Sequence, residues 1–128
     1  MTAPAEGAPR TLLLADDDDD VAAAFTRVLE RSGFVVHRAR TGTEAIGMLA
    51  TTSHFYAAIV DLVLPGAGGL AVVAEIRRAH PRCRIVAVTG VSGGSTLDNA
   101  FRSAGADCCL TKPVERADLL AALDAKPA

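Results

Sequence analysis

The sequence predicts an α/β domain in which a parallel sheet is covered by helices on both faces. Two observations predict it. Short apolar runs alternate five times with segments of helical period from Thr11 onward. Those runs are apolar throughout, as strands buried on both faces are, rather than alternating as in a half-solvated antiparallel sheet. Right-handed crossovers leave few topologies for such a chain. A length of 128 residues fits one domain, and no repeat, heptad or long linker divides it.

The elements follow in order. Thr11 to Ala15, centred on Leu12, Leu13 and Leu14, reads as the first strand. Val21 to Arg31 places Val21, Ala24, Phe25, Val28 and Leu29 on one helical face, and Gly33 stops that helix. Phe34 to Ala39 is the second strand. The stretch from Thr41 to Glu44 fits a capping box and opens a helix carrying Ala45, Ile46, Met48 and Leu49. Tyr56 to Val60 is the third strand, ending in Asp61. Pro65, Gly66, Gly68 and Gly69 form a loop before a helix from Leu70 to Ala79. Arg84 to Val88, ending at Thr89, is the fourth strand. A Gly/Ser stretch follows, then a helix through Ala100 and Phe101 to Ala104, closed by Gly105. Cys108 to Leu110 is a short fifth strand, and Val114 to Leu123 the last helix.

Half of the chain is apolar, ample for one core, and the formal net charge is -2. That charge argues against bulk binding to nucleic acid, which needs a basic face to displace counterions. No apolar run approaches the roughly 20 residues that span a bilayer. Residues 1–10 read as a flexible tail without signal-peptide character, and 11–125 as the domain. The expected location is the cytoplasm. Cys83, Cys108 and Cys109 are an odd set, read as free thiols. They form no zinc-ligand spacing with His37, His54 and His80.

Chemistry gathers where the strands end. In open parallel sheets ligands bind outside the carboxyl ends of the strands. Asp16 to Asp20 follow strand one, Asp61 strand three, Thr89 strand four and Lys112 strand five, while strand two offers only Arg40 and Thr41. Each group alone has a plain reading: a solvated helix start for the acidic run, a loop cap for Asp61, an ordinary strand exit for Thr89 and Lys112. Their joint placement changes the reading. Carboxylates crowded on one rim repel unless cations neutralise them. Lys112 supplies one charge and a divalent ion the second. Oxygen-only ligands point to Mg²⁺, and this set suits phosphoryl transfer, where the work is neutralisation and positioning.

The acidic run invites two other readings. An EF-hand loop from Asp16 needs Gly and Glu where Val21 and Arg27 stand, and starts at Asp17 and Asp18 fail too. The run from Asp17 to Val21 fits the nucleophile motif of haloacid-dehalogenase-like phosphatases, but the further acidic pair after the lysine is replaced by scattered Glu115, Asp118 and Asp124.

The segments LLLADDDDDV, GFVVHRARTGTEAI, AIVDLVLPGAGGL, RIVAVTG and GADCCLTKP, in this order and spacing, resemble a bacterial response regulator receiver domain. The resemblance runs from about Thr11 to Leu123. It implies a flavodoxin-like, doubly wound fold with strand order 2-1-3-4-5. It implies Asp61 as phospho-acceptor, Asp16, Asp17, Asp61 and the main-chain carbonyl of Val63 as Mg²⁺ ligands, Thr89 as switch hydroxyl and Lys112 as the partner of the phosphoryl group. Gly90 matches the small residue that leaves room beside the acceptor. The implied donor is a sensor histidine kinase or histidine phosphotransfer protein. The product is a signalling switch rather than a multiple-turnover enzyme, acting on an unidentified downstream protein or output domain. Homodimerisation is common in the family, and the ending at ALDAKPA is compatible with a crop.

Two departures bear on that reading. Cys109 stands where the family places an aromatic that swings inward, and a thiol packs there as a small hydrophobe. With the flexible composition of Val91 to Ser95, this predicts weak coupling to the output surface. Val63 and Val91 stand where family members tune attack by water; both are apolar, which predicts a long-lived phospho-Asp61. The competing functions are a binding module of the same fold working without phosphorylation, and a multiple-turnover phosphatase.

Overall fold

The computed structural model describes residues 10–52, 54–90 and 94–124, with the backbone alone at 94–98. Five strands and five helices alternate: β1 (Arg10–Ala15), α1 (Asp19–Arg31), β2 (Phe34–Ala39), α2 (Gly42–Thr51), β3 (Ala57–Asp61), α3 (Gly69–Ala79), β4 (Arg84–Thr89), α4 (Gly94–Ala104), β5 (Cys108–Thr111) and α5 (Arg116–Asp124). All pairings are parallel and the strand order is β2-β1-β3-β4-β5, as the sequence predicts.

The two-residue period of a strand sends successive side chains to opposite faces, so the sheet divides the interior in two. Leu12, Leu14, Ala57, Ile59, Val86 and Val88 pack with Phe25 and Leu29 of α1 and with Leu119 and Leu123 of α5. Leu13, Ala15, Ala58, Val60, Ile85 and Ala87 pack instead with Leu49 of α2, Val72, Val73 and Ile76 of α3, and Phe101 of α4. The central strands β1, β3 and β4 are buried almost end to end.

Local signals account for the helix ends. Asp18 caps α1 by accepting from the N–H groups of Asp20 and Val21, and Gly33, at φ 92°, takes the left-handed turn that releases the chain. Thr41 accepts from the Glu44 N–H at 3.0 Å. The reciprocal bond of the expected capping box reaches one residue further back, from Arg40 N–H to Glu44 Oε1 at 3.3 Å.

Four expectations are corrected. Arg10 belongs to β1 rather than to the tail: it pairs with Phe34, and its guanidinium lies 4.5 Å and 5.0 Å from the Phe34 and Tyr56 ring centroids. The buried stripe of α1 runs through Ala22, Phe25 and Leu29, leaving Ala24 exposed, because α1 docks with Ala22 rather than Ala24 turned toward the sheet. Strand β2 is not apolar throughout; Val35 and His37 are exposed, as befits an edge strand that helices cover only in part. Helix α5 starts at Arg116 rather than Val114, whose side chain packs instead against the α1–α5 core.

Candidate functional site at the carboxyl rim of the sheet

Strand parity determines which rim residues meet. Asp16 continues the phase of Leu12 and Leu14, Asp61 that of Ala57 and Ile59, and Lys112 that of Cys108 and Leu110, all on the α1–α5 side. The ladder carries this phase past the strand ends, since Asp16 N–H donates to Ala39 O (3.1 Å) and Lys112 N–H to Thr89 O (2.8 Å). Three residues far apart in sequence therefore aim into one place. Thr89 has the opposite phase, that of Ile85 and Ala87 on the α4 side, and is buried at the end of β4.

Lys112 holds the centre. Its ammonium donates to Asp61 Oδ2 at 3.0 Å and to Asp16 Oδ2 at 3.1 Å. Asp16 is 2% exposed and Asp61 7%. Burial pushes the Asp61 carboxyl above the ordinary carboxylate range, and the nearby Asp16 charge adds to this; Lys112 and the Val63 N–H (3.2 Å from Asp61 Oδ1) oppose it without cancelling it. Burial alone would lower Lys112, but its two carboxylates outweigh that and hold the ammonium above its usual value.

The five-aspartate run divides its labour. Asp16 Oδ1 accepts from the Asp18 N–H at 2.9 Å, which turns the chain into α1. Asp17 is exposed at the mouth of the site. Asp18 is the helix cap, and Asp19 pairs with Arg38 (2.9 Å) and Arg40 (2.8 Å). The Arg38 hydrogen bond, ahead of the charge of Arg40, holds the Asp19 carboxyl below its ordinary value.

One oxygen each from Asp16, Asp17 and Asp61 lies within 4.8 Å of the others. An octahedral Mg²⁺ with ligands at about 2.1 Å sets opposite oxygens about 4.2 Å apart. Neighbouring ligands on that octahedron stand about 3.0 Å apart, so the three carboxylates can converge on one hard cation by closing inward, and all offered donors are oxygen. The adjoining β3–α3 loop is packed tightly. A Cβ at Gly69 would collide with the Asp61 carbonyl oxygen, and one at Gly42 would lie 2.5 Å from the Ala67 carbonyl carbon. Gly42 N–H donates to Pro65 O at 3.0 Å. A Cβ on Gly90, next after Thr89, would meet nothing within 4 Å.

The sequence-predicted Asp16, Asp17, Asp61 and Lys112 are brought together; Thr89 lies at the next strand end. Val63 is 69% exposed in the loop after Asp61, while Val91 lies outside the described residues. Cys109 is half-buried against the α2–α4 core, whereas Cys108 faces the other core, where burial raises its thiol. Arg38 went unnoticed in the sequence. Its signal was parity: Arg38 and Arg40 share the phase of Val36, which faces α1.

Comparisons with known proteins agree with this fold. The family profile described as "Response regulator receiver domain" matches residues 12–124. The photosynthetic apparatus regulatory protein RegA of Cereibacter sphaeroides is 37% identical over 120 residues, covering 94% of this chain and 64% of RegA. The chain therefore spans less than two thirds of that relative. A Burkholderia pseudomallei response regulator, solved with a phosphorylated aspartic acid, a calcium ion and citrate, superposes with TM-score 0.83 at 31% identity, covering 90% of this chain and 66% of that one. A CheY-like receiver domain protein from Methanospirillum hungatei gives TM-score 0.82 at 27% identity over 88% of this chain and 89% of its own. With its sheet order, its acidic rim and this match over nearly its whole length, the chain belongs to the response regulator receiver domain family.

Proposed function

We propose that this receiver domain is a phosphorylation-dependent switch that accepts a phosphoryl group on Asp61 from a phosphohistidine of a sensor kinase or phosphotransfer protein. The observation that carries the reading is the Lys112 ammonium seated between Asp61 and Asp16, with Asp17 in reach of both. Asp61 is the nucleophile. One of its oxygens bonds to phosphorus as the phosphorus–nitrogen bond breaks, and the electron pair leaves on the imidazole, which takes up a proton. Mg²⁺, held by Asp16, Asp17, Asp61 and the Val63 carbonyl, supplies neutralisation of the phosphoryl oxygens. Lys112 spends two of its three N–H donors on Asp16 and Asp61, so the third remains to meet a phosphoryl oxygen. Thr89, at the end of β4, is the hydroxyl that follows the phosphorylated state.

The chemistry is one transfer per cycle, which makes the domain a signal carrier rather than a multiple-turnover catalyst. A histidine-kinase donor implies work in the cytoplasm; among the described residues no helix is long and apolar enough to cross a membrane. Intact-mass measurement after incubation with Mg²⁺ and acetyl phosphate tests the reading. The expected gain is one phosphoryl group, of about 80 Da, absent without Mg²⁺ and absent in Asp61→Ala. No gain from acetyl phosphate or from a kinase donor, with the fold intact, would favour a binding module that works without phosphorylation.

A further inference from the structure

The proposed reading assigns Asp16 and Asp17 to a metal, yet both sit on the short turn between β1 and α1. The main chain of Asp16 is gripped on two sides by the edge strand β2. Its N–H donates to Ala39 O at 3.1 Å. Its carbonyl accepts two hydrogen bonds from one guanidinium, Arg38 Nε at 3.0 Å and Nη2 at 2.9 Å. The remaining arm, Nη1, reaches Asp19 Oδ1 at 2.9 Å in the first turn of α1. One half-buried side chain therefore ties the residue before the turn to the helix after it. Arg40 touches the same Asp19 carboxylate, but its bond stops there.

We propose that Arg38 is a positioning residue for the proposed Mg²⁺ site: its fork on the Asp16 carbonyl sets the spacing of the Asp16 and Asp17 carboxylates. This rests on the Mg²⁺-dependent reading above and adds a residue to it that touches neither metal nor phosphoryl group. The role makes a sign-specific prediction. As a charge alone, a nearby cation repels Mg²⁺, so removing Arg38 would tighten binding. As a positioner, its removal loosens the turn and weakens binding. The fork matters more than the charge, because two parallel N–H donors in a rigid plane fix an acceptor as one ammonium does not. Mg²⁺ demands near-ideal octahedral geometry, whereas Ca²⁺ accepts irregular shells, so a loosened turn penalises Mg²⁺ more.

Titration calorimetry with Mg²⁺ and with Ca²⁺ on the wild type, Arg38→Met, Arg38→Lys and Arg40→Met tests this, with each fold verified by circular dichroism. Outer residues that orient ligands typically contribute about 10- to 100-fold in metal affinity. Arg38→Met and Arg38→Lys are expected to weaken Mg²⁺ binding by about tenfold or more and Ca²⁺ clearly less, while Arg40→Met stays within about twofold of wild type. Should Arg38→Met fail to fold, Arg38→Lys, which keeps the stem and the charge, decides by the same comparison. Unchanged or tighter Mg²⁺ binding in the folded Arg38 variants overturns the role of Arg38 alone, and so does an equal loss for both ions. A wild type that binds no Mg²⁺ overturns the proposed function and this role together.

Discussion

Replacing Lys112 by Met keeps an apolar stem of similar length and removes the ammonium between Asp16 and Asp61. The wild-type ammonium lies 3.1 Å and 3.0 Å from the two carboxylates, and its side chain is only 21% exposed. Removing one partner of a buried ion pair destabilises by about 3–5 kcal/mol. The rim is open to water at Asp17, so the lower end applies, about 3 kcal/mol. Unfolding entropy near 2.1 cal/mol/K per residue gives about 270 cal/mol/K for 128 residues, so the loss corresponds to a fall in Tm of about 11 °C. The loss depends on pH in a definite direction. Burial already raises the Asp61 carboxyl, and without Lys112 it rises further. A raised carboxyl supports the fold while protonated, and that support disappears as pH climbs through its folded-state value. The gap between variant and wild type should thus be widest at pH 7.5 and narrow toward pH 4.5. Added Mg²⁺ should raise the Tm of the variant more than that of wild type, since the ion replaces the missing charge. Calorimetric melts at the two pH values, with and without Mg²⁺, measure all of this. An equal deficit at both pH values that Mg²⁺ leaves untouched would refute the reasoning.

Four further outcomes are expected. Gly42→Ala sets a Cβ against the Ala67 backbone and breaks the Gly42–Pro65 hydrogen bond; it should lower stability by about 2 kcal/mol or more, and a Tm within a degree of wild type would contradict the packing. Cys83 is buried with its thiol pushed up to about 12 by desolvation, so native protein at pH 8.5 should show no iodoacetamide adduct at Cys83 by peptide mapping. The raised thiol favours the fold below about pH 9, a contribution lost as pH rises toward 12, so Cys83→Val should flatten the alkaline fall in Tm. Val63, 69% exposed and apolar, offers no group to orient an attacking water; the 80 Da adduct should persist for minutes or longer in a mass time course, and a half-life of seconds would count against this.

The fold was legible because the signals lay in period and order. Apolar runs such as Leu12 to Leu14 and Ile85 to Val88 could only be central strands once helical segments separated them, and the cap at Thr41 showed in its spacing to Glu44. The site was legible for a similar reason: residues just past strand ends share a rim whatever their loops do. What escaped was settled by rotation and by partners across the sheet. Ala24 and Ala22 are equally apolar, and the docking of α1 on β1 and β2 chose between them. The hold of Arg38 on the Asp16 carbonyl spans 22 residues and ends on main chain, which leaves no mark in side-chain chemistry. The close approach of Gly42 to Ala67 is likewise backbone against backbone.

The two ends of the sheet are built on opposite terms. At the amino end, one guanidinium closes the structure: Arg77 donates to Gly105 O, Pro81 O, Cys83 O and Asp107, joining the end of α3 to the turns before β4 and β5. Asp107 Oδ2 also accepts the Ile85 N–H at 2.7 Å, so its charge is matched within the network. At the carboxyl end two buried carboxylates share one ammonium while the exposed Asp17 carboxylate stands close by, an arrangement under electrostatic strain. A change of charge at Asp61 must alter the carboxyl end, where attraction and repulsion are poorly balanced, and finds little to release at the amino end. Rearrangement on phosphorylation should accordingly follow Lys112 and Thr89 along β5 and the end of β4. Along that path Cys109 faces the α2–α4 core beside the strand that Thr89 terminates. A half-buried thiol there leaves less volume to displace than an aromatic ring, so the motion should be transmitted more weakly than in receivers with a ring at that place.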